Sequence, residues 1–286
     1  MSLFKGSLIG LGGVGAVGTG GYFAFRSQQP TDVKSQLVWD GLSVAESKSL
    51  GVYKAIYVAN STKTGFSSFV TASTKEEAAP LLRTQCNKLL SVSASSEEYE
   101  KSLEEAKKWC LVPDRTTIEI SLLLEDAEFS SSDDDYKNIF ASNKSNQSFI
   151  ALIKKGDNSL TTTSTPDTGL PKLKAWCEEV MKQVPKDEDL KNARAWCLKG
   201  PLDIKEKLAK EGLAVWGDGK WTQGFTKHKS DQTFLQTISA TSPPSIEDSE
   251  GGTKLQTWCN GKLTMKLHDN SYSDTYDKVK KYCISG

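Results

Sequence analysis

The run Leu103-Glu-Glu-Ala106-Lys-Lys-Trp109-Cys110-Leu111-Val112-Pro113 decides how this chain is read, because it comes back. A second version is Leu190-Lys-Asn-Ala193-Arg-Ala-Trp196-Cys197-Leu198-Lys199-Gly200-Pro201, and a third is Tyr276-Asp-Lys-Val279-Lys-Lys-Tyr282-Cys283. In each, the first apolar residue, the next one and the cysteine lie at i, i+3 and i+7, which is one face of an amphipathic helix. Proline or glycine then stops two of the three runs. The six cysteines fall as Cys86/Cys110, Cys177/Cys197 and Cys259/Cys283, and the second members stand 87 and 86 positions apart (110 to 197, 197 to 283). Self-similarity at a fixed period means copies of one structural unit.

Working outward, other residues keep the period. Lys34-Ser-Gln-Leu37-Val-Trp-Asp-Gly41-Leu-Ser-Val44 matches Lys205-Glu-Lys-Leu208-Ala-Lys-Glu-Gly212-Leu-Ala-Val215. The middle copy, Leu122-Leu-Leu-Glu125-Asp126-Ala127-Glu128-Phe129, keeps the spacing but lacks the glycine, so its first helix is expected to end differently. Tyr53 and Tyr136 correspond, with Trp221 or Phe225 as the third counterpart. Phe69, Phe149 and Phe234 each sit in a short apolar run. An aromatic residue precedes five of the six cysteines: Trp109, Trp176, Trp196, Trp258 and Tyr282. Gln85 is the exception. The units read as 32–116, 117–201 and 202–286, small domains of a size at which a core alone is marginal.

Within a unit, Lys34–Asp40 and Lys205–Glu211 read as short helices ended by Gly41 and Gly212. Thr74 with Glu77, and Ser95 with Glu98, have capping-box spacing, and Pro171 fits an early helical position. Phe149-Ile-Ala-Leu-Ile153 and Phe234-Leu-Gln-Thr-Ile238 are short and apolar, and read as strands as readily as helices. The fold class expected is mainly α, with room for one short β element per unit.

The cysteines set the chemistry. Structural zinc asks for four ligands, usually with close C-x-x-C spacing, and no such spacing occurs. Only two histidines are present, His228 and His268, and both lie in the third unit, so neither a metal site nor a thiol–imidazole pair can recur. Buried free thiols are the weaker alternative to intra-unit disulfides Cys86–Cys110, Cys177–Cys197 and Cys259–Cys283. Each such bridge would join two adjacent helices and stabilise a unit by about 3–3.5 kcal/mol in the chain-entropy account. Disulfides persist outside the reducing cytosol.

Composition narrows the function classes. Lys+Arg and Asp+Glu are both 36, so the net charge is zero and a dedicated nucleic-acid binder is not expected. With 7 Trp, 10 Phe and 8 Tyr the chain is too aromatic to be disordered. Neither a G-x-S-x-G elbow nor an H-E-x-x-H pair occurs. Asp133-Asp134-Asp135 reads as the approach to a helix N-terminus in preference to a calcium loop. Asn60-Ser-Thr62, Asn143-Lys-Ser145 and Asn146-Gln-Ser148 match the glycosylation sequon.

The first residues speak of location. Leu8 to Phe25 carries no charge, and seven of its eighteen residues are glycine. As a helix it would reach about 27 Å, close to a hydrocarbon core of roughly 30 Å. A membrane anchor is the reading, with a cleaved signal peptide as the alternative. Gly10-Leu-Gly12-Gly13-Val14-Gly15 matches the dinucleotide fingerprint literally, but no strand–helix–strand alternation follows it.

The glycine-rich apolar start, the Cys-(20–24)-Trp/Tyr-Cys spacing and the Lys107-Lys108-Trp109-Cys110-Leu-Val-Pro113 run together resemble the paralogous hypothetical proteins of haemotropic mycoplasmas. The resemblance spans the chain. It implies surface display, with antigenic variation or attachment to red cells, and it brings no catalytic residues.

The expectation is therefore a single-pass protein of the cell membrane, anchored through residues 8–25 within an N-terminal segment 1–31, with three disulfide-bonded helical repeats outside. Secretion after signal cleavage is the alternative. No enzyme activity, catalytic residue, metal, cofactor or small-molecule substrate is expected. The partners expected are the membrane and a host-cell surface protein or antibody, and no nucleic acid. The competing readings are an extracytoplasmic hydrolase and a membrane-associated structural scaffold.

Overall fold

The computed structural model describes residues 29–46, 48–156, 159–240 and 245–285. The expected anchor, residues 8–25, lies outside them. Among the described residues no helix is long and apolar enough to cross a membrane. The protein is mainly helical: the described residues form helices joined by loops and isolated β-bridges, with no strand. Chain contacts divide it into two compact units, at Pro113/Asp114.

The first unit holds α1 (Val33–Trp39), α2 (Gly51–Asn60), α3 (Phe66–Phe69), α4 (Lys75–Leu90) and α5 (Tyr99–Trp109). The Asp32 side chain accepts from the Ser35 N–H at 2.7 Å, and Ser35 Oγ accepts from the Asp32 N–H, so α1 begins with a reciprocal cap. Its end is set by Gly41 at φ +77°, with the Leu42 N–H reaching back to the Leu37 carbonyl at 2.9 Å. α4 packs on α2 and α5, and α1 lies against α5. Val33, Leu37, Tyr53, Ile56, Leu82 and Ala106 are fully buried between them. The chain ends of the unit are stitched to its middle. The Val33 N–H donates to the Val92 carbonyl, the Ala45 N–H to the Cys110 carbonyl and the Val112 N–H to the Ser43 carbonyl.

The second unit holds α6 (Ile118–Leu123), α7 (Asp133–Asn143), α8 (Gln147–Lys154), α9 (Pro166–Val180) and α10 (Asp187–Trp196), then α11 (Ile204–Lys210), α12 (Trp221–His228), α13 (Gln232–Thr237), α14 (Asp248–Leu263) and α15 (Tyr272–Tyr282). It carries two separate apolar cores. One runs from Ile118 to Cys197 and packs α9 against α7, α8 and α10. The other runs from Ile204 to Cys283 and packs α14 against α11, α12 and α15. The Ser130 N–H donates to the Cys197 carbonyl, and the Trp216 N–H to the Cys283 carbonyl.

Several sequence expectations change here. Phe149–Ile153 and Phe234–Ile238 are not strands: the first falls within α8 and the second spans α13 and its C-cap. Each helix is capped by a side chain, since Asn146 Oδ1 accepts from the Phe149 N–H and Asp231 Oδ1 from the Phe234 N–H. Ser95 and Glu98 form no capping box. Glu98 itself is the residue before α5, and its N–H donates to Ser96 Oγ. Thr74 caps α4 by accepting from the Glu77 N–H, while Glu77 reaches back to the Ser73 N–H, one residue beyond the expected partner. Pro166 opens α9, and Pro171 lies within it as its sixth residue.

α6 does not end differently for want of a glycine. The Ala127 N–H donates to the Leu122 carbonyl at 3.1 Å, and Asp126 takes the left-handed conformation at φ 58°. Aspartate tolerates that conformation better than most residues, yet still pays strain that glycine avoids. Gly41→Ala and Gly212→Ala (φ +77° and +73°) should each cost about 1 kcal/mol, whereas Asp126→Gly should raise stability by a few tenths to about 1 kcal/mol. Urea midpoints of the three variants check the opposite signs.

Candidate functional site

All six cysteines are paired: Cys86–Cys110, Cys177–Cys197 and Cys259–Cys283, with Cα separations of 5.4, 5.6 and 5.9 Å. The first member lies on α4, α9 or α14, and the second caps the C-terminus of α5, α10 or α15. The sulfurs are buried, between 0% and 3% exposed by residue, so they act as staples and not as reactive thiols.

Beside each disulfide runs a ladder of three rings. Tyr57 lies 6.0 Å from Phe66, which meets Trp109 edge-on at 5.3 Å. Phe140 lies 5.9 Å from Phe149, which meets Trp196 edge-on at 5.0 Å. Phe225 lies 5.9 Å from Phe234, which is 5.0 Å from Tyr282. The aromatic before the second cysteine is therefore a rung of this ladder. Phe66, and not Phe69, takes the place held by Phe149 and Phe234. The signal was present in the sequence, since nine positions separate 57 from 66, 140 from 149 and 225 from 234.

A groove of about 620 Å³ lies in the second unit. Asn138, Arg194, Lys199, Lys207, Lys210 and Glu211 are among the residues lining it. Three of its five charged side chains, Arg194, Lys207 and Glu211, have partners within the protein. Arg194 makes a bidentate pair with Glu125 at 2.8–3.1 Å. Glu211 accepts from Lys280 at 3.1 Å. The neighbouring Tyr276 hydroxyl and then the Lys280 ammonium hold its carboxyl below the ordinary glutamate range. The Lys207 ammonium sits 5.0 Å over the Tyr276 ring. Asn138, 3% exposed, ties the two cores together: its Nδ2 donates to the Leu202 carbonyl at 3.0 Å, and its Oδ1 accepts from the His268 N–H at 3.0 Å. His268 Nδ1 is 2.7 Å from the same oxygen, which assigns the ring proton to Nδ1. That imidazole is committed to an amide and is not aimed at a hydroxyl or thiol.

His228 is the other imidazole. Its ring packs 5.5 Å from Phe234 and 5.4 Å from Tyr282. Burial, then the charges of Lys227 and Lys281, push its pKa below the ordinary value, with Asp231 opposing. The folded state therefore prefers the neutral ring. This contribution is whole above the ordinary histidine value of about 6.5 and is lost as pH falls below it, because the unfolded chain takes up the proton more readily. The melting temperature of the oxidised chain should fall between pH 7.5 and pH 5, and His228→Gln should flatten that slope. An equal slope in both proteins would contradict the assignment.

Among the described residues no cluster of three or more His, Cys, Asp or Glu is placed to hold a metal. Asp135 serves structure: it accepts from the Ser131 and Ser132 N–H groups and from the Ser132 hydroxyl. Burial raises its pKa, and those hydrogen bonds outweigh burial and leave it below the ordinary aspartate range. The sequon asparagines are also in structural use. Asn60 is 8% exposed and donates to the Ile56 carbonyl, Asn143 donates to the Ile139 carbonyl, and Asn146 caps α8. No family model, curated protein or solved structure matches the chain.

Proposed function

We propose that this is a membrane-anchored surface protein whose exterior part is three tandem copies of one disulfide-stapled, five-helix module (32–116, 117–201 and 202–286). It works by binding or display toward a host-cell surface protein or an antibody. The observation that carries the reading is the equivalence of the three staples. Each joins the fourth helix of a set to the end of the fifth, beside a three-ring ladder of the same order. By that ladder Trp221 is the counterpart of Tyr53 and Tyr136, four residues before Phe225, Tyr57 and Phe140. Three buried disulfides favour an oxidising exterior, and the apolar residues 8–25 supply an anchor of membrane length. Repeated stapled modules suit a protein that must keep its shape while its surface changes.

Limited proteolysis of intact cells, read by mass spectrometry, tests the location. Peptides from within 32–286 should be released while cytosolic markers stay whole, and the uncleaved chain should partition into detergent. Protection in intact cells with cleavage after lysis would overturn it.

A further inference from the structure

Val38 and Trp39 close α1 with two adjacent apolar side chains that the first unit leaves bare. Val38 is 54% exposed and Trp39 62%. The helix needs neither for its core, since Val33 and Leu37 are the residues it buries. Among the described residues the Trp39 indole takes part in no ring contact, and its N–H in no hydrogen bond. Single exposed apolar residues are ordinary on a folded surface, whereas adjoining ones form a patch that asks for a partner.

The other modules do not repeat this patch. Leu37 corresponds to Leu208, which sets Ala209 and Lys210 against Val38 and Trp39. Leu37 also corresponds to Leu122, which sets Leu123 and Leu124 at the same places, and there Leu123 is buried and Leu124 half-buried. The bare apolar pair therefore belongs to the module that follows residues 8–25 directly in the chain. The charge beside it is already engaged. Asp40, next after Trp39, accepts from the Gln36 amide at 2.8 Å and pairs with Lys107 at 3.5 Å, so its carboxylate does little to oppose the indole leaving water.

We propose that Val38 and Trp39 lie in the interface of the lipid bilayer that holds residues 8–25, and dock the first module against it. Tryptophan suits that layer, because its ring meets acyl chains while its N–H meets headgroups. The tether decides for lipid over another protein. From Phe25 to Val33 is eight steps (25 to 33), at most about 29 Å when fully extended. α1 adds roughly 9 Å to reach Trp39. Held that close, the patch meets the bilayer at a high effective concentration, and two side chains suffice where an untethered protein would need more. This inference rests on the membrane-anchor reading above.

The full chain reconstituted into phosphatidylcholine vesicles tests it. Flotation reports whether the chain is anchored, and brominated phosphatidylcholine reports contact with lipid. The Trp39 emission, taken as the difference between the wild-type chain and Trp39→Phe, should fall at least twofold in brominated vesicles. Bromines near the glycerol end of the acyl chains should quench it more than bromines near the chain ends. Val38→Glu, which puts a charge into the patch, should relieve that quenching and leave the melting temperature unchanged, since the side chain is exposed. A chain that floats but shows no quenching of Trp39, or quenching indifferent to Val38→Glu, would overturn the docking and leave the anchor standing. Trp39 shielded from iodide without bromine quenching would give the patch to a second copy or another protein, and would also overturn it. A chain that does not float would overturn the anchor reading and this inference with it.

Discussion

Gly252→Ala should lower the stability of the chain by about 2–3 kcal/mol, whereas Gly261→Ala, nine residues along the same helix, should raise it by a few tenths to about 1 kcal/mol. A Cβ on Gly252 would come 2.7 Å from the Thr222 nitrogen and 2.8 Å from its Cα, so α12 and α14 touch backbone to backbone and neither can yield cheaply. One residue earlier, a Cβ on Gly251 would stand 2.4 Å from the fully buried Phe225 ring. In the core from Ile118 to Cys197 a Cβ on Gly169 would meet Phe140, also fully buried, at 2.2 Å. At Gly261 no atom lies within 4 Å, and only the better helix propensity of alanine remains. Calorimetric melting of the four Gly→Ala variants gives the comparison. Equal effects at Gly252 and Gly261 would show that α12 and α14 do not approach as described.

Removing a staple should cost as much. Cys259→Ser with Cys283→Ser should destabilise the chain by about 3–5 kcal/mol. The 24-residue separation accounts for some 3 kcal/mol in the loop-entropy account, and two serine hydroxyls placed where the sulfurs were fully buried add to it. The loss should be local. Hydrogen exchange should speed up in α14 and α15, whose core residues Leu255, Val279 and Tyr282 pack around the bond, and not in α4 and α5. A urea midpoint unmoved by the double substitution would mean that the bridge constrains nothing that unfolds.

How much of this was legible beforehand depends on which interaction decides each element. Cysteine spacing exposes the staples, because helix face and covalent partner are both set by local position. Gly41 and Gly212 were legible as helix ends for the same reason: a left-handed turn is a one-residue demand. Asp126 hid the third such turn, since aspartate meets that demand without announcing it. Phe149–Ile153 could not be settled by pattern, because a five-residue apolar run has too few periods to separate helix from strand. The caps at Asn146 and Asp231 were the available signal. Phe69 stands in the apolar pair Phe69-Val70 and so drew the local pattern, whereas the nine-residue spacing from Tyr57 picks out Phe66. The glycines at 169, 251 and 252 read as helix-weakening residues in sequence, and only the crossing of α9 over α7 and of α14 over α12 gives them a purpose. Gln85 was visible as an exception. That Trp109 is half-buried where Trp196 is 6% exposed follows only once Trp176 is seen against Trp196.

The central claim is that the period of about 86 residues is a folding unit. Residues 202–286, produced alone and oxidised, test it most directly, because their core from Ile204 to Cys283 is described without any residue from outside that span. The fragment gives up the contacts of Asn138 with Leu202 and His268 and those of Asp134 with Lys266 and His268, polar contacts that water replaces at little cost. The account expects helical circular dichroism and a single cooperative thermal transition, moved to lower temperature by reduction of Cys259–Cys283. A fragment that is disordered while oxidised would contradict it, and would mean that the three copies share a sequence period but not independent cores.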